Sequence, residues 1–130
     1  MDNIKIKGVT LDKAIAEAHG LVEAVVIEAS VTCSQKAARH CVQLLKTALI
    51  GGTGKYRRGW KIKREDRGAI VYQSSQPSLT HLLENGHDVV RNGVKIGETR
   101  PIPHIKPAEE LSNKYFEEIV LKELQRRLEQ

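Results

Sequence analysis

Aromatic side chains are scarce in this 130-residue chain, which has one tryptophan, one phenylalanine and three tyrosines. Its core must therefore be mostly aliphatic. No apolar run approaches the roughly 18–20 residues that a membrane-spanning helix needs. The opening MDNIKIKG lacks an apolar h-region, so no secretory signal is expected and the chain should stay in the cytoplasm where it is made. Cysteine is limited to Cys33 and Cys41, with no CxxC pair. Eight positions apart on a helix, the two thiols would be roughly 12 Å apart, beyond disulfide reach. Two reduced, buried thiols are the expectation. Internal repeats, low-complexity tracts and a domain linker are also missing.

What is present reads as one α+β domain over residues 1–130, with 40% apolar and 28% charged residues. That length suffices for a single core. The net charge of +5 is unevenly placed. Of 21 basic and 16 acidic residues, 7 and 2 fall in KYRRGWKIKREDR, residues 55–67, which leaves 14 of each elsewhere. Such a local stripe can meet phosphate or an acidic protein surface, or can be an ordinary solvated face.

Helices are expected over 10–50. Leu11, Ile15, Ala18, Val22, Val25, Val26 and Ala29 fall at helical spacing. Gly20 inside that run costs about 1 kcal/mol against alanine, which leaves a break there open as an alternative. TCSQKAARHCVQLLKTALIGG forms a second helix, capped by Thr32 or Ser34. Its stripe is Ala37, Cys41, Leu44, Leu45 and Ala48, and Gly51-Gly52 end it.

The period then changes to two, and residues 55–105 should hold a small, mainly antiparallel sheet and a short helix against two or three helices. In YRRGWKIKR, Tyr56, Trp60 and Ile62 share one face with Arg58, and Arg57, Lys61 and Lys63 share the other. The register predicts Trp60 covered and Lys61 exposed. EDRG turns the chain into a second strand, AIVYQSS. Ser78 should cap LTHLLE, with Leu79, Leu82 and Leu83 toward the core, and Asn85-Gly86 should end it in a left-handed C-cap. Asn92-Gly93 between VVR and VKI marks a hairpin, expected to be a mobile arm. PIPHI is short and extended. A helix over 107–128 follows, with Pro107 in its first turn and Glu109 and Glu110 opposing the N-terminal dipole. Arg126 and Arg127 lie at its C-terminal end, and its stripe is Leu111, Tyr115, Ile119, Leu121, Leu124 and Leu128.

Catalytic motifs are weak. GGTGKY fails as a P-loop, because glycine is required where Leu49 stands and Ser or Thr where Tyr56 stands. The histidines are a closer case. HLLENGH places His81, Glu84 and His87 in an H-x-x-E-x-x-H pattern, and His104 follows. Zinc proteases instead set both histidines one helical turn apart. Asn85-Gly86 should end the helix before His87, so one helical face cannot present all three. The expectation is a fold element without a metal, a cofactor or a catalytic residue. No GxSxG is present, and His40 beside Cys41 does not face it on a helix.

Taken in order, the pieces are more specific than any one of them. TG-Y-GWK, then LTHLLE-GH, then PHI-PAEE before a final helix, resemble the neck and minor tail-component family of long-tailed phages. The likeness is close over about residues 53–112 and loose at the helical ends. It implies a tail-completion or neck component, not an enzyme. Copies would form a homo-oligomeric ring at the head–tail junction of the virion, assembled in the host cytoplasm. The ring would sit between portal-side adaptor proteins and the tail terminator or tail tube, with DNA passing through its lumen and no membrane partner. His81, Leu82, Leu83, Glu84, Gly86, His87, Pro103, His104 and Pro107 are then fold-signature residues. Arg57, Lys61 and Lys63 are the candidate DNA-facing set. Val89, Val90, Val94 and Ile96 are the candidate assembly arm, mobile in the free protomer and ordered in the neck. The alternative from the residues alone is a small nucleic-acid-binding module using the Arg57/Lys61/Lys63 face, which salt would weaken strongly.

Overall fold

Residues 11–129 are described by the computed structural model. The readings of MDNIKIKG, of a helix starting at residue 10 and of the Leu11 side chain lie outside the described residues. The elements run α1 (Leu11–Lys46), α2 (Lys55–Arg58), β1 (Trp60–Glu65), β2 (Gly68–Gln73), α3 (Leu79–Asn85), β3 (Asp88–Arg91), β4 (Val94–Glu98) and α4 (Ile105–Leu128). This is an α+β fold. The described strands form two antiparallel hairpins, the small sheet β1–β2 and the arm β3–β4, as expected.

α1 is one continuous helix of 36 residues, not two. Gly20 does not break it, and a side chain there would meet nothing within 4 Å. One glycine costs only about 1 kcal/mol, which a long helix absorbs. Thr32 and Ser34 are therefore interior, and Ser34 Oγ donates back to the Val31 carbonyl at 2.8 Å. The helix ends at Lys46, before the glycines, where Thr47 Oγ1 donates to the carbonyls of Gln43 and Leu44.

The core lies where the C-terminal half of α1, β1–β2 and the start of α4 meet. Leu45, Ile50, Tyr56, Trp60 and Ala108 are buried, and Val42, Leu44, Val71, Leu79, Leu83, Ile102 and Ile105 pack around them. Ala29, Cys33, Ala37 and Ala38 are buried on α1. Small residues there let α4 pack closely along α1.

Three expectations fail on α3 and α4. Leu82 is exposed, while Leu79 and Leu83 face the core. Leu111, Leu121 and Leu128 are exposed, and α4 instead turns Ala108 and Ser112 inward. Because α4 starts at Ile105, Glu109 and Glu110 fall beyond its first turn, which holds no acidic residue of its own.

Candidate functional site

Two of the signature residues, Glu84 and His104, meet Tyr56 and Trp60 in one buried group built from segments far apart in sequence. It starts at Gly54, whose φ of 86° is left-handed and suits glycine. Gly54 leads into α2, so Tyr56 and Arg57 sit on a helical turn and not on a strand. Tyr56 on α2 and Trp60 at the start of β1 are both buried. Gly59 between them touches Gln73, and a Cβ there would lie 1.9 Å from Gln73 Oε1. Gln73 Nε2 donates to the Tyr56 carbonyl at 2.7 Å, while its Oε1 accepts from Ser75 N and Ser75 Oγ at 3.0 and 2.9 Å. Sequence reasoning passed over Gln73, Ser75 and the structural role of Tyr56. A buried glutamine carries no pattern of its own in a linear sequence.

His104 lies at the centre. Its Nδ1 is 2.7 Å from the Ile102 carbonyl and 3.0 Å from Glu84 Oε2, both acceptors, so Nδ1 carries the proton. Its Nε2 then accepts from the Tyr56 hydroxyl at 2.8 Å. Both ring nitrogens thus have partners.

Glu84 supplies what α4 lacks. Its carboxylate accepts from the backbone N–H groups of His104, Ile105 and Lys106 at 2.9, 2.8 and 3.1 Å. It caps a helix that begins some twenty residues later, meeting both the orphan donors and the positive end of the dipole. Burial alone would raise the Glu84 pKa. The three N–H donors outweigh burial and hold it below the ordinary carboxylate value. Ser78 does not cap α3. Its φ and ψ of −68° and −17° are already helical, and its side chain makes no capping bond.

Glu84, His104 and Tyr56 form an acid–imidazole–hydroxyl line of the sort used in nucleophilic catalysis. Burial, reinforced by the Glu84 charge, pushes the Tyr56 phenol up to about 12. It stays protonated at neutral pH, and Glu84 is committed to three backbone donors. The arrangement clamps α2, α3 and α4 together.

His81 and His87 are not part of this group, and both are exposed. His87 closes the foot of β3–β4. Its N–H donates to Thr99 Oγ1 at 2.9 Å, its carbonyl accepts from Thr99 N at 2.8 Å, and its Nδ1 is 3.0 Å from Thr99 Oγ1. Gly86 precedes it with φ 74° and ψ 168°, so the expected left-handed C-cap is replaced by an extended exit. A Cβ on Gly86 would lie 2.6 Å from the Thr99 carbonyl. Pro103 and Pro107 are exposed beside His104 and on the first turn of α4. Among the described residues no three His, Cys, Asp or Glu side chains are grouped to hold a metal.

The basic set divides. Lys61 and Lys63 are exposed on β1, opposite Tyr72 and Ile70 of β2, while Trp60 is only 5% exposed. Arg57 is half-buried on α2, with its Nε buried and without a hydrogen bond among the described residues. It does not share the face of the two lysines.

In the arm, Asn92 and Gly93 both have positive φ, 52° and 79°, the two-residue turn that matches strand twist. Val90, Val94 and Ile96 are exposed, and Val89 is half-buried. A bulge between Val89 and Val90 leaves Val90 opposite Lys95 and Val94 opposite Arg91. Successive side chains alternate, so Val90 and Val94 point to opposite faces.

Comparison with protein-family models, curated proteins and solved structures returned no match.

Proposed function

We propose that this chain is a structural component of the phage head–tail junction, a tail-completion or neck protein that oligomerises into a ring between capsid-side adaptor and tail. The reading rests on the resemblance of TG-Y-GWK, LTHLLE-GH and PHI-PAEE. One structural observation supports it most: much of the large apolar surface is left outside the core. Ile15, Leu21, Val22 and Val26 on α1, and Val90, Val94 and Ile96 on the arm, are all exposed. Apolar patches of this extent mark interaction surfaces. Tyr56, Trp60, Glu84 and His104 of the motifs are engaged in holding the fold, and on this reading the work falls to interfaces and needs no cofactor.

The test is genetic complementation in the phage or prophage that carries the gene. Loss of the chain should give filled heads and finished tails that remain separate under electron microscopy. Replacing residues 88–98 by Asn-Gly should do the same while the protein still folds. Normal joining without the chain would overturn the reading. The alternative, a duplex-binding module, draws on exposed Lys61 and Lys63. It requires tight, salt-sensitive binding by the isolated protomer.

A further inference from the structure

The hairpin β1–β2 has an open edge. Only Asp66 and Arg67 separate the paired Glu65 and Gly68, so that pair exchanges both of its backbone bonds. Bonded pairs then recur at every second residue, at Lys63–Ile70 and Lys61–Tyr72. Ala69 and Val71 therefore turn their N–H and C=O groups away from β1. Among the described residues no third strand lies there, and no backbone bond from a turn or loop reaches either residue. An unpaired edge of this kind is a template for another extended chain.

The edge borders a cleft of about 520 Å³. Residues 68–71 of β2 line one side of it, Ser112 and Phe116 of α4 another, and Ala37, Ala38 and Cys41 of α1 a third. Ala69 and Val71 stand opposite Arg64 and Ile62, so their side chains share the side of the hairpin that carries Trp60. The free donor–acceptor pairs of Ala69 and Val71 are about 6.8 Å apart, the spacing of alternate residues in a strand. They match the backbone of an extended chain, whose alternate side chains would then enter the cleft. The occupant called for has apolar residues at i and i+2, with the backbone groups of those same residues free.

Val94 and Ile96 of the arm have the spacing but not the phase. The two-residue turn at Asn92-Gly93 makes Arg91–Val94 a bonded pair, so the Val94 backbone is spent on β3. Ile4-Lys5-Ile6-Lys7, ahead of the described residues, has the same alternation. It cannot serve its own cleft. Along α1 the cleft begins at Ser34, about 34 Å from Leu11 at 1.5 Å per residue. The seven residues from Ile4 to Leu11 reach at most about 25 Å when fully extended. The donor must be a second copy. Charge sets its direction. Antiparallel addition places Ile4 opposite Val71, Ile6 opposite Ala69 and Lys7 opposite Gly68. Gly68 has no side chain, and exposed Glu65 stands just beyond it on the same side, ready to meet Lys7. Parallel addition would run Lys7 toward Lys61 instead, while Lys5 lies beside Ile70 in either direction.

We propose that residues 4–7 of one copy add as a third, antiparallel strand to the open edge of β2 in a second copy. Ile4 and Ile6 fill the cleft, and their backbones bond to Val71 and Ala69. Donor and acceptor are different surfaces, so the contact is head-to-tail and generates a ring when the rotation closes. The ring, though not the strand contact, rests on the neck reading.

The test uses full-length protein and a synthetic peptide, DNIKIKGV. Sedimentation should show the wild type associating with rising concentration and an Ile4→Asp, Ile6→Asp double variant staying monomeric. That variant keeps its open edge, so it should bind the peptide. Methylating the peptide's Ile4 and Ile6 amides removes both N–H groups aimed at β2 and should weaken binding by at least about tenfold, as expected for two lost hydrogen bonds. Methylating the Lys5 and Lys7 amides, which point away, should leave binding near that of the parent peptide. Ala69→Pro in the protein, which removes one outward N–H at an edge where proline is tolerated, should also weaken it. The methylated peptides make the same test on an unaltered edge. Absence of peptide binding, equal losses from the two methylation patterns, or a wild type monomeric at its highest soluble concentration would overturn the proposal. Complementation separates the two readings. Peptide binding as expected, with normal head–tail joining by the double variant, would sink the ring and leave the strand contact. No peptide binding, with heads and tails still separate when the chain is lost, would sink the strand contact and leave the neck reading.

Discussion

The two hairpins are alike in size and connection, yet one is packed and the other projects. In β1–β2, Trp60, Ile62, Val71 and Gln73 fall on one face, because the register pairs Trp60 with Gln73 and Ile62 with Val71. A single apolar face can be covered once, by α1 and α4. In β3–β4 the apolar residues are split between faces by the bulge at Val89/Val90. No single packing partner could cover Val90 and Val94 together. A lone two-stranded hairpin is marginal in water, and this one is held at its base by the His87–Thr99 bonds and by Lys95 bridging Asp88 and Glu98. Phase, more than hydrophobic content, decides which hairpin joins the core.

The largest effect should come from breaking the packed hairpin. Trp60→Ala removes a buried aromatic that stands edge-on to Tyr56 and His104. It should destabilise the protein by about 3–5 kcal/mol in urea denaturation, against near zero for Val90→Ala on the arm. Equal losses at the two sites would erase the distinction drawn between the hairpins.

Next is the clamp between them. Glu84→Gln keeps the shape and removes the charge that caps α4. It should cost about 1.5–3 kcal/mol at neutral pH, the range for hydrogen bonds to an ionised group. The pH dependence follows from the depressed Glu84 pKa. The folded state holds the proton more weakly than the unfolded chain, whose carboxyl titrates near about 4.3. The stabilisation is therefore complete above that value and fades as pH falls through the lower, folded-state pKa. The gap between parent and variant should close on acidification. A gap that stayed constant from pH 7 to pH 2 would show that Glu84 acts by shape alone.

Much of this was legible in the sequence, and the failures have physical causes. EDRG and Asn-Gly gave both hairpin turns, since few residues support those geometries. The alternation at Trp60, Lys61, Ile62 and Lys63 gave the register. Tyr56 was placed on a strand because it shares the even-numbered phase of Trp60 and Ile62, and nothing in that phase marks the single helical turn that Gly54 starts before β1. The sequence left a break at Gly20 open, and the rest of a long helix outweighs that one local cost. Glu84 capping α4 was invisible, because an acceptor twenty residues from its donors leaves no periodic trace. For the same reason the exposed residues 12–24 of α1 looked like any amphipathic helix. Its exposure depends on where α4 ends in space.

A smaller effect should come from the largest excision. Replacing residues 88–98 by Asn-Gly joins His87 to Thr99, whose backbones already bond across the base of the arm. Stability should stay within about 0.5 kcal/mol of the parent, as for surface changes away from the core. A loss comparable to Trp60→Ala would mean that the arm belongs to the core after all.

The smallest effect, none, is expected from removing metal, and it bears on the same comparison. A zinc ion joining His81, His87 and His104 would tie the foot of the arm to the clamp under the packed hairpin, making the two halves one unit. The donors argue against it. His104 spends Nδ1 on the Ile102 carbonyl and Glu84, and Nε2 on Tyr56. Glu84 spends its oxygens on three backbone N–H groups. That leaves His81 and His87, two ligands where a structural zinc site takes four. Protein purified without a histidine tag should contain no stoichiometric zinc by elemental analysis, and a chelator should leave its thermal midpoint unchanged. His81→Ala and His87→Ala should then unfold as the parent does, with or without added zinc. About one zinc per chain, lost on either substitution, would require His104 to turn away from Tyr56 and Glu84, and would replace the clamp with a metal centre.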